Sequence, residues 1–461
     1  MPAAYWAFLD SDVVRVRDAE PNAKGTHDLV ATLFWGDRVR VVGKTADGPL
    51  IDLRVRRMVN GVSTRQTIRC QLSKHVKFRD AGLLKVRFVD VGQGDACIIE
   101  TPKGDLLLVD GGEESHLHRY MSSSFAHLLA KGPIHCRAII VTHGDADHFA
   151  GLIDVVKARI FHDSAQPFVT ADAVYHNGLV KLTSANLGKT TGSGKDKYAV
   201  DIHDDLRDTP DSKLSATFQG WKAALKGLKT STGGKPVVQR LEYGDDSVFS
   251  DLEAQGLTVK VLGPIVDDVR GKPALPWLKD AGHTINGHSI VLKLSFGNVR
   301  FLLGADLNIP SEERLLEHAS RRGDSLTAEI LKVPHHGSHE FSPRMLEAVR
   351  PVVSFVSSGD ESGAKEYIHP RAGLIGALGK FSRGSVDKPL VYVSEMVAFF
   401  QRKKGSFRDY TKTAFGMLHV RTDGARVLVI TNSGRADRQE TYAFTVDERG
   451  DVTMEGDVRP V

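Results

Sequence analysis

The chain contains 461 residues, of which 41% are hydrophobic and 26% are charged, a composition typical of a globular protein and not of a disordered or fibrous one. Lysine and arginine number 61 against 57 acidic residues, so the formal charge of +4 permits a polyanionic partner without requiring one. The three cysteines have no paired spacing for zinc or a redox couple, and no apolar run approaches the ~20 residues that cross a bilayer. We therefore expect a cytoplasmic protein without membrane contact.

Residues 1–80 are predicted to form a small SH3-like β domain. Short alternating runs at 13–16, 38–42, 51–55 and 63–72 predict strands, and Asn60-Gly61 predicts a hairpin between the last two. The stretch holds 14 lysine and arginine residues against 9 acidic ones. The hairpin carries five of these arginines: Arg54, Arg56, Arg57, Arg65 and Arg69. They predict either a surface that contacts nucleic-acid phosphates or an ordinary solvated strand face, and a protein partner for this domain also remains open.

Residues 83–461 are predicted to form a second domain in which strands alternate with helices. Apolar runs predict strands at 85–91, 96–100, 106–109, 138–141, 257–262, 290–294, 299–303, 329–333 and 352–357. Tracts rich in glycine, serine, threonine and lysine predict a flexible insertion at about 160–245, beside the active site. Runs at 418–421, 427–431 and 442–446 predict strands that complete a sheet.

The strongest chemical signal is the stretch 141–151 (VTHGDADHFAG), which directly follows the buried strand predicted at 138–141. It brings His143, Asp145, Asp147 and His148 into one strand-to-helix turn. Imidazole and carboxylate are the ligands that Zn²⁺ or Mn²⁺ takes in proteins. This crowding of four candidate ligands predicts a metal site.

Other acids and imidazoles stand where predicted strands end, at Asp110, at Asp306 and at His335/His336. Strand ends in layered α/β folds converge on one rim, so these side chains can meet the turn at 143–148. We expect two metals, with His143 and Asp145 at one, Asp147 and His148 at the other, and Asp306 as the bridging carboxylate. Such a pair suits in-line displacement at phosphorus, because it activates water and neutralises the developing charge.

These motifs resemble the metallo-β-lactamase superfamily, and most closely its ComEC-like branch without the transmembrane channel. The segment 143–148 (HGDADH) is similar to the superfamily signature HxHxDH, with Asp145 where most members have histidine, as is typical of that branch. The segments 88–95 (FVDVGQGD), 109–112 (VDGG), 303–306 (LGAD) and 333–338 (VPHHGS) resemble further blocks of the branch in the same order. An aspartate in place of a histidine makes the site harder, which favours Mn²⁺ or Mg²⁺ without excluding Zn²⁺.

The resemblance implies an α/β fold, the αββα metallo-β-lactamase sandwich, with a dinuclear site in a hydrolase that commonly acts on phosphodiesters. It leaves open whether His283 or His288 is the third-block ligand, and whether His335 or His336 is the fifth-block ligand. Asp110 and Asp95 are expected to orient ligands from behind them. His369 matches a His-Pro element of the branch, and it could contact substrate or be an ordinary loop residue.

The sequence therefore predicts a metal-dependent phosphodiesterase, and specifically a nuclease, with Asp147, Asp306 and His369 as candidate catalytic residues. In this hypothesis Asp306 holds the metals together, and His369 or a hydroxyl near Ser338 stabilises or protonates the leaving group. One alternative is a hydrolase of small molecules such as a cyclic nucleotide, a phosphorylcholine ester or a lactone. Another is a binding scaffold whose metal site is vestigial.

Overall fold

The computed structural model describes residues 4–59, 62–160, 165–183, 186–359, 369–394, 399–402, 410–414, 416–431, 439–456 and 458–461. Elements are numbered in chain order. The α-helices within the described residues are α1 (His116–Ser124), α2 (Ala126–Leu129), α3 (Ala146–Lys157), α4 (Ala216–Gly227), α5 (Ala281–Gly287), α6 (Ile309–Arg322), α7 (Pro343–Val349) and α8 (Ala372–Lys380). Short 3₁₀ helices span Gly194–Asp196, Leu206–Asp208, Asp211–Lys213, Asp246–Gln255 and Pro334–Gly337. No helix in these ranges combines the length and apolar character of a membrane span.

The N-terminal β domain is a seven-stranded sheet. Its strands are β1 (Tyr5–Leu9), β2 (Val13–Asp18), β3 (Leu29–Phe34), β4 (Arg38–Thr45), β5 (Gly48–Val59), β6 (Val62–Gln71) and β7 (Phe78–Arg79). They pair in the order β3-β2-β6-β5-β4-β1-β7, and alternate residues build an apolar core on the inner face. Strands β5 and β6 form the long antiparallel pair expected of a hairpin, whose turn at Asn60-Gly61 lies outside the described residues.

The largest sheet of the second domain has ten strands. They are β8 (Leu84–Val89), β9 (Cys97–Glu100), β10 (Leu106–Val109), β11 (Ile134–Val141), β12 (Val169–His176), β15 (Val237–Arg240), β26 (Met417–Thr422), β27 (Arg426–Thr431), β28 (Thr441–Val446) and β29 (Val452–Met454). Their order is β15-β12-β11-β10-β9-β8-β26-β27-β28-β29. The predicted C-terminal strands therefore do complete a sheet, by adding to the free side of β8.

The second large sheet has six strands in the order β16-β19-β20-β21-β22-β23. They are β16 (Leu257–Gly263), β19 (Val291–Phe296), β20 (Val299–Leu303), β21 (Ile330–Lys332), β22 (Val353–Val356) and β23 (Leu390–Val393). Smaller sheets join β13 (Thr190–Thr191), β14 (Tyr198–Ala199), β17 (Asp267–Asp268) and β18 (Pro273–Pro276), and separately β24 (Phe399–Arg402) and β25 (Tyr410–Ala414).

The two large sheets pack face to face around the main hydrophobic core. Phe88 of β8 stacks on Phe355 of β22 with the ring centroids 4.9 Å apart. Helices α1 to α4 cover the other face of the ten-stranded sheet, and α6 to α8 cover the other face of the six-stranded sheet. This layering is the predicted αββα sandwich.

The stretch 160–245 differs from its prediction as a flexible insertion. Strands β12 and β15 pair within the ten-stranded sheet, and Trp221 of α4 is buried in the core beneath it. The glycine-rich tracts that motivated the prediction are connections between these elements. Composition alone overestimated the extent of the flexible segment, because pairing with neighbouring strands decides whether the runs between the glycine-rich tracts become strands.

The N-terminal domain is docked on the second domain through a buried arginine of β26. Nη1 of Arg421 donates to the carbonyl oxygens of Phe34 (3.2 Å) and Trp35 (2.7 Å) and to Oδ1 of Asp37 (2.8 Å). Apolar side chains that include Phe34, Trp35 and Ile430 pack around this contact. The two domains thus share a small core with a buried ion pair inside it.

Replacing Arg421 by methionine should weaken this docking, because it leaves the Asp37 carboxylate and two carbonyl groups without their donor. Removal of one partner from a buried ion pair typically costs about 3–5 kcal/mol. We expect urea unfolding followed by circular dichroism to show a lower free energy of unfolding or an early separate transition. The exposed Arg449→Met variant is the control. A single transition with the wild-type midpoint in Arg421→Met would contradict the docking role.

Candidate metal centre

The candidate ligands meet at one rim of the sandwich because parallel strands end there. Asp110 follows β10, and His143 follows β11, its parallel neighbour. Asp306 follows β20, and His336 follows β21, which again run parallel. Ligand atoms within 4.8 Å of one another form four overlapping groups: His143, His148 and Asp306; Asp147, His148 and His336; Asp95, Asp306 and His336; and Asp95, Asp110 and His148.

Asp110 joins the ends of β10 and β11. Its Oδ1 accepts from the backbone N–H of Thr142 (2.8 Å), and its Oδ2 accepts from the Thr142 hydroxyl (2.6 Å). The same Oδ2 lies 2.8 Å from Nδ1 of His148, which fits donation from that nitrogen. Nε2 of His148 then faces the cluster, 3.3 Å from Oδ1 of Asp306. Asp110 therefore fixes the orientation of the His148 ring, which is the geometry expected of an orienting group behind a ligand.

His336 is oriented in the same way by a different strand. Its Nδ1 lies 3.0 Å from the carbonyl oxygen of Ser357, so it donates there. Its Nε2 lies 3.3 Å from Oδ2 of Asp147 and 3.3 Å from Oδ2 of Asp306. Asp306 thus has one oxygen toward His148 and the other toward His336, which is the arrangement expected of a bridging carboxylate.

The cluster passes a direct test of whether its donors suit a metal. Nε2 of His143, His148 and His336 and Oδ1 of Asp306 are buried and make no hydrogen bond with any described residue. Buried polar atoms are normally paired, so four orphans that point at one another need another partner. Imidazole nitrogens and carboxylate oxygens are the donors that divalent metals take. The residues present therefore fit a divalent ion.

The electrostatics of the cluster also favour added positive charge. Burial lowers the pKa of His143 well below its usual value, with the neighbouring His148 adding to the effect. Burial opposes protonation of His148 too, but the carboxylates of Asp306, Asp110 and Asp147 outweigh it and raise the pKa of His148 well above the usual value. The pKa of His336 is raised in the same way, chiefly by Asp306 and Asp95.

Lys332 is a member of the site that the sequence analysis missed. This buried side chain donates through Nζ to Oδ2 of Asp95 and to the carbonyl oxygen of Ala305 (3.1 Å), and it lies 4.0 Å from Oδ1 of Asp306. Its ammonium offsets part of the carboxylate charge behind the ligands. The available signal was a lysine within the otherwise apolar run 330–333, directly before the segment that holds His335 and His336.

The backbone is held in unusual conformations at the same rim. Of the seven non-glycine residues with positive φ in the described part of the chain, four lie here: Asp110, Ala305, His335 and His336. Such strained conformations persist only where many surrounding contacts hold them in place, and they are concentrated at functional sites. Gly94 (φ 115°) passes so close to the carbonyl oxygen of Asp147 that a Cβ would lie 2.0 Å from it. Only glycine allows the turn between β8 and β9 to approach the turn at 143–148 so closely.

Some candidate ligands point elsewhere. Asp145 forms an ion pair with Lys181, and the Asn286 amide donates to its Oδ2 (3.0 Å) when its nitrogen faces that oxygen. Asp145 is in none of the ligand groups found among the described residues, so the expected pairing with His143 is replaced by His143 with His148 and Asp306. Nε2 of His288 lies 2.7 Å from the carbonyl oxygen of Pro276, away from the cluster.

The remaining histidines lie at the mouth of the site or outside it. The His335 side chain is 25% exposed, with Nε2 4.0 Å from Oδ2 of Asp306, whereas His336 is 2% exposed and aimed inward. The ring of His369 lies 6.2 Å from that of His335, so it stands at the rim. His283 contacts Asp280 (2.9 Å) and Glu340 (3.3 Å) and is not among the converging residues. Geometry therefore favours His336 over His335 and supports neither His283 nor His288 as a ligand.

Comparison with known proteins gives a family and little beyond it. The profile of the metallo-beta-lactamase superfamily matches residues 89–352, more than half of the chain. No curated protein sequence matches. Among solved structures, a mutant of CmlA beta-hydroxylase is similar over 68% of this chain and 53% of its own, with 14% identity and a TM-score of 0.30. The match spans about half of that structure, and a likeness this distant carries no argument about function.

Replacing His336 by alanine should remove bound metal, whereas His335→Ala should keep it, because only the His336 ring is aimed into the cluster. The measurement is the metal-to-protein ratio after gel filtration, determined by elemental analysis. His335→Ala is a matched control, since it removes the same side chain one residue away. Equal loss in both variants, or loss in His335→Ala alone, would contradict the assignment.

Metal affinity should rise with pH. The pKa values of His148 and His336 are raised, so without a cation both rings favour the charged form, in which each ring nitrogen carries a proton. An ion that binds to a ring must displace one of these protons. The logarithm of the association constant should therefore increase by about one per pH unit for each of these rings that the ion binds, while the rings are protonated. Competition with a chelator across pH measures this slope. A flat profile would show that these two rings are not displaced.

Proposed function

Because the chain belongs to the metallo-beta-lactamase superfamily, a family of metal-dependent hydrolases, we propose that it is a phosphodiesterase that cleaves nucleic acid. The observation that carries this proposal is the convergence of unpaired, buried ligand atoms from His143, His148, His336 and Asp306, with Asp147 beside them. This observation disfavours the alternative of a binding scaffold with a vestigial site, because burying unpaired polar groups costs free energy and a vestigial site has no reason to keep them.

The proposed cofactors are two divalent ions, Zn²⁺ or Mn²⁺, with Mg²⁺ also compatible. His143, His148 and Asp306 would hold one ion, and Asp147, His336 and Asp306 would hold the other. When bound, such a pair activates water and neutralises the charge that develops on a phosphoryl group. Asp306 suits the shared position because its two oxygens face different imidazoles, each at 3.3 Å. Asp95 and Asp110 keep the ligands in place from behind.

His369 is proposed to position the substrate. Pro370 packs so closely against Gly337 that a Cβ added to Gly337 would lie 2.7 Å from Cβ of Pro370. This contact places His369 beside the mouth of the site. Burial, together with the neighbouring imidazoles of His336 and His335, lowers the pKa of His369 to about 4. A ring that is neutral at pH 7 is a poor proton donor to a leaving group, so we assign it to hydrogen bonding with a substrate oxygen. The Ser338 hydroxyl accepts from the backbone N–H of Glu340 (3.2 Å) and has no evident part in this step.

The charge of the chain favours a polymeric phosphodiester over a small one. The chain is net positive, and its N-terminal sheet carries exposed arginines. A small-molecule hydrolase would need neither the basic sheet nor its docking on the second domain.

Hydrolysis of DNA, RNA and bis-p-nitrophenyl phosphate with Mn²⁺, Mg²⁺ or Zn²⁺ tests the function. We expect polymer cleavage that the Asp147→Ala/His148→Ala variant loses, because both ligand groups are broken. The Asp110→Asn variant should keep the ligands and lose about 10- to 100-fold in activity, as expected for a group that orients a ligand. The exposed Arg449→Ala variant should match the wild type.

The outcomes separate the alternatives. Activity on the small ester alone would replace the nuclease by a small-molecule phosphodiesterase. Polymer cleavage that survives in the double variant would assign the activity to a contaminant or to another site. Bound metal without hydrolysis of any substrate would overturn the proposed function.

A further inference from the structure

The outward face of the N-terminal sheet carries arginines on neighbouring strands, in a row of paired positions that ends at a tryptophan. Register places Trp6 of β1 opposite Arg40 of β4, Arg40 opposite Asp52 of β5, and Asp52 opposite Arg69 of β6. Directly paired residues share one face of a sheet. The opposite face holds the apolar core of the domain, so this row points to solvent.

Neighbouring positions extend the row into a basic surface. Arg38 lies two residues before Arg40, Arg54 two residues after Asp52, and Arg17 on β2, where it pairs with Gln71. These arginines are exposed, as are Arg40 and Arg69. Side chains two apart along a strand share a face, so all belong to the same surface. The side chains of Arg56, Arg57 and Arg65, predicted to join them, lie outside the described residues.

The charge of this surface is nearly unopposed. Among the described outward side chains of its strands, Asp52 is the acid, and it is used by Arg69, whose Nε lies 2.6 Å from Oδ1 of Asp52. Arg38, Arg40 and Arg54 have no carboxylate partner among the described residues. Like charges on neighbouring strands repel one another, which costs stability unless an anion lies across them.

Trp6 gives the surface a large exposed aromatic ring. Its side chain is 55% exposed, the highest exposure among the large hydrophobic residues described, together with Val237. The guanidinium of Arg38 lies over it, 5.0 Å from the ring centroid. Proteins that bind single strands combine a basic track for the backbone with aromatic rings on which bases stack.

We propose that this surface, defined by Trp6, Arg17, Arg38, Arg40, Arg54 and Arg69, binds single-stranded nucleic acid. A base stacks on Trp6, and the phosphates of the same strand follow the arginines across the sheet. Adjacent strands lie about 4.8 Å apart, so arginines on neighbouring strands present positive charge at short intervals, interrupted at Asp52. A regularly charged chain that also has flat aromatic groups uses both features, whereas an acidic peptide uses the charge alone.

This binding site is separate from the hydrolytic site and does not depend on it. It needs no metal, so it can be measured with a chelator present. The nearest control lies on the same strand, because Tyr5 is also an exposed aromatic (49%) but belongs to the alternate register position, paired with Val41. Comparison of Trp6 with Tyr5 therefore tests the face and not aromatic character in general.

The experiment measures fluorescence anisotropy of labelled oligothymidylate with the full chain in EDTA. Trp6→Ala should weaken binding about tenfold or more, Trp6→Phe should retain part of the affinity, and Tyr5→Ala should bind as the wild type. Arg40→Ala/Arg54→Ala should reduce the slope of log affinity against log salt by about 0.7 for each lost phosphate contact, unlike Arg449→Ala. Thermal melting checks that each variant is folded.

The result expected is Trp6-dependent binding that also persists in Asp147→Ala/His148→Ala. Wild-type affinity in folded Trp6→Ala would overturn the proposal, as would equal loss in Tyr5→Ala. Competition by polyglutamate as effective as that by unlabelled oligothymidylate would also overturn it, and would indicate an acidic protein partner. Tighter, Trp6-independent binding of duplex DNA would assign the surface to the duplex backbone instead. Each result is independent of whether the metal centre hydrolyses a phosphodiester.

Discussion

The burial of several carboxylates at one rim of the sandwich is the constraint on which the rest of this structure depends. Asp95, Asp110 and Asp306 are almost fully buried, and Asp147 stands beside them. Isolated carboxylates would not remain ionised in such surroundings. Here each is matched by an imidazole, by the ammonium of Lys332 or by a backbone N–H. The ends of the strands therefore supply both the buried carboxylates and the groups that compensate their negative charge.

The candidate ligands could be predicted to different degrees, for reasons that lie in the chain itself. His143, Asp147, His148 and Asp306 each follow an apolar run that had to be a buried strand, so their convergence followed from fold rules. His335 and His336 follow the same run, and sequence cannot separate them. Their separation depends on two consecutive residues with φ near +50° and on the Ser357 carbonyl from another strand. The ion pair between Asp145 and Lys181, which turns Asp145 away from the cluster, is likewise a contact for which the local sequence gives no signal.

The fold shows the same division between local and distant causes. Apolar runs predicted β11 and β20, because strands buried on both faces need little polar alternation. Strand β12 was missed because its run, 169–176, leads into the glycine-rich tract at 188–195 and gains its identity from pairing with β11. The C-terminal strands were expected in a sheet, but nothing local indicated β8 as their partner. The basic hairpin was seen as five arginines, whereas register extends the surface to Trp6 and Arg17.

The pairing of β8 with β26 has a consequence for how the protein is made. Val89 lies opposite Met417, so a central strand of the ten-stranded sheet has a neighbour that is encoded more than 300 residues later in the chain. During synthesis, β8 and β9 leave the ribosome with one edge uncovered, and exposed edges recruit other strands. Lys85 and Arg87 of β8 both pair with Glu100 of β9, so the two strands together carry one net positive charge beside that edge. Charge on an edge strand opposes pairing with other chains, so this excess charge matters most in the interval before β26 is made.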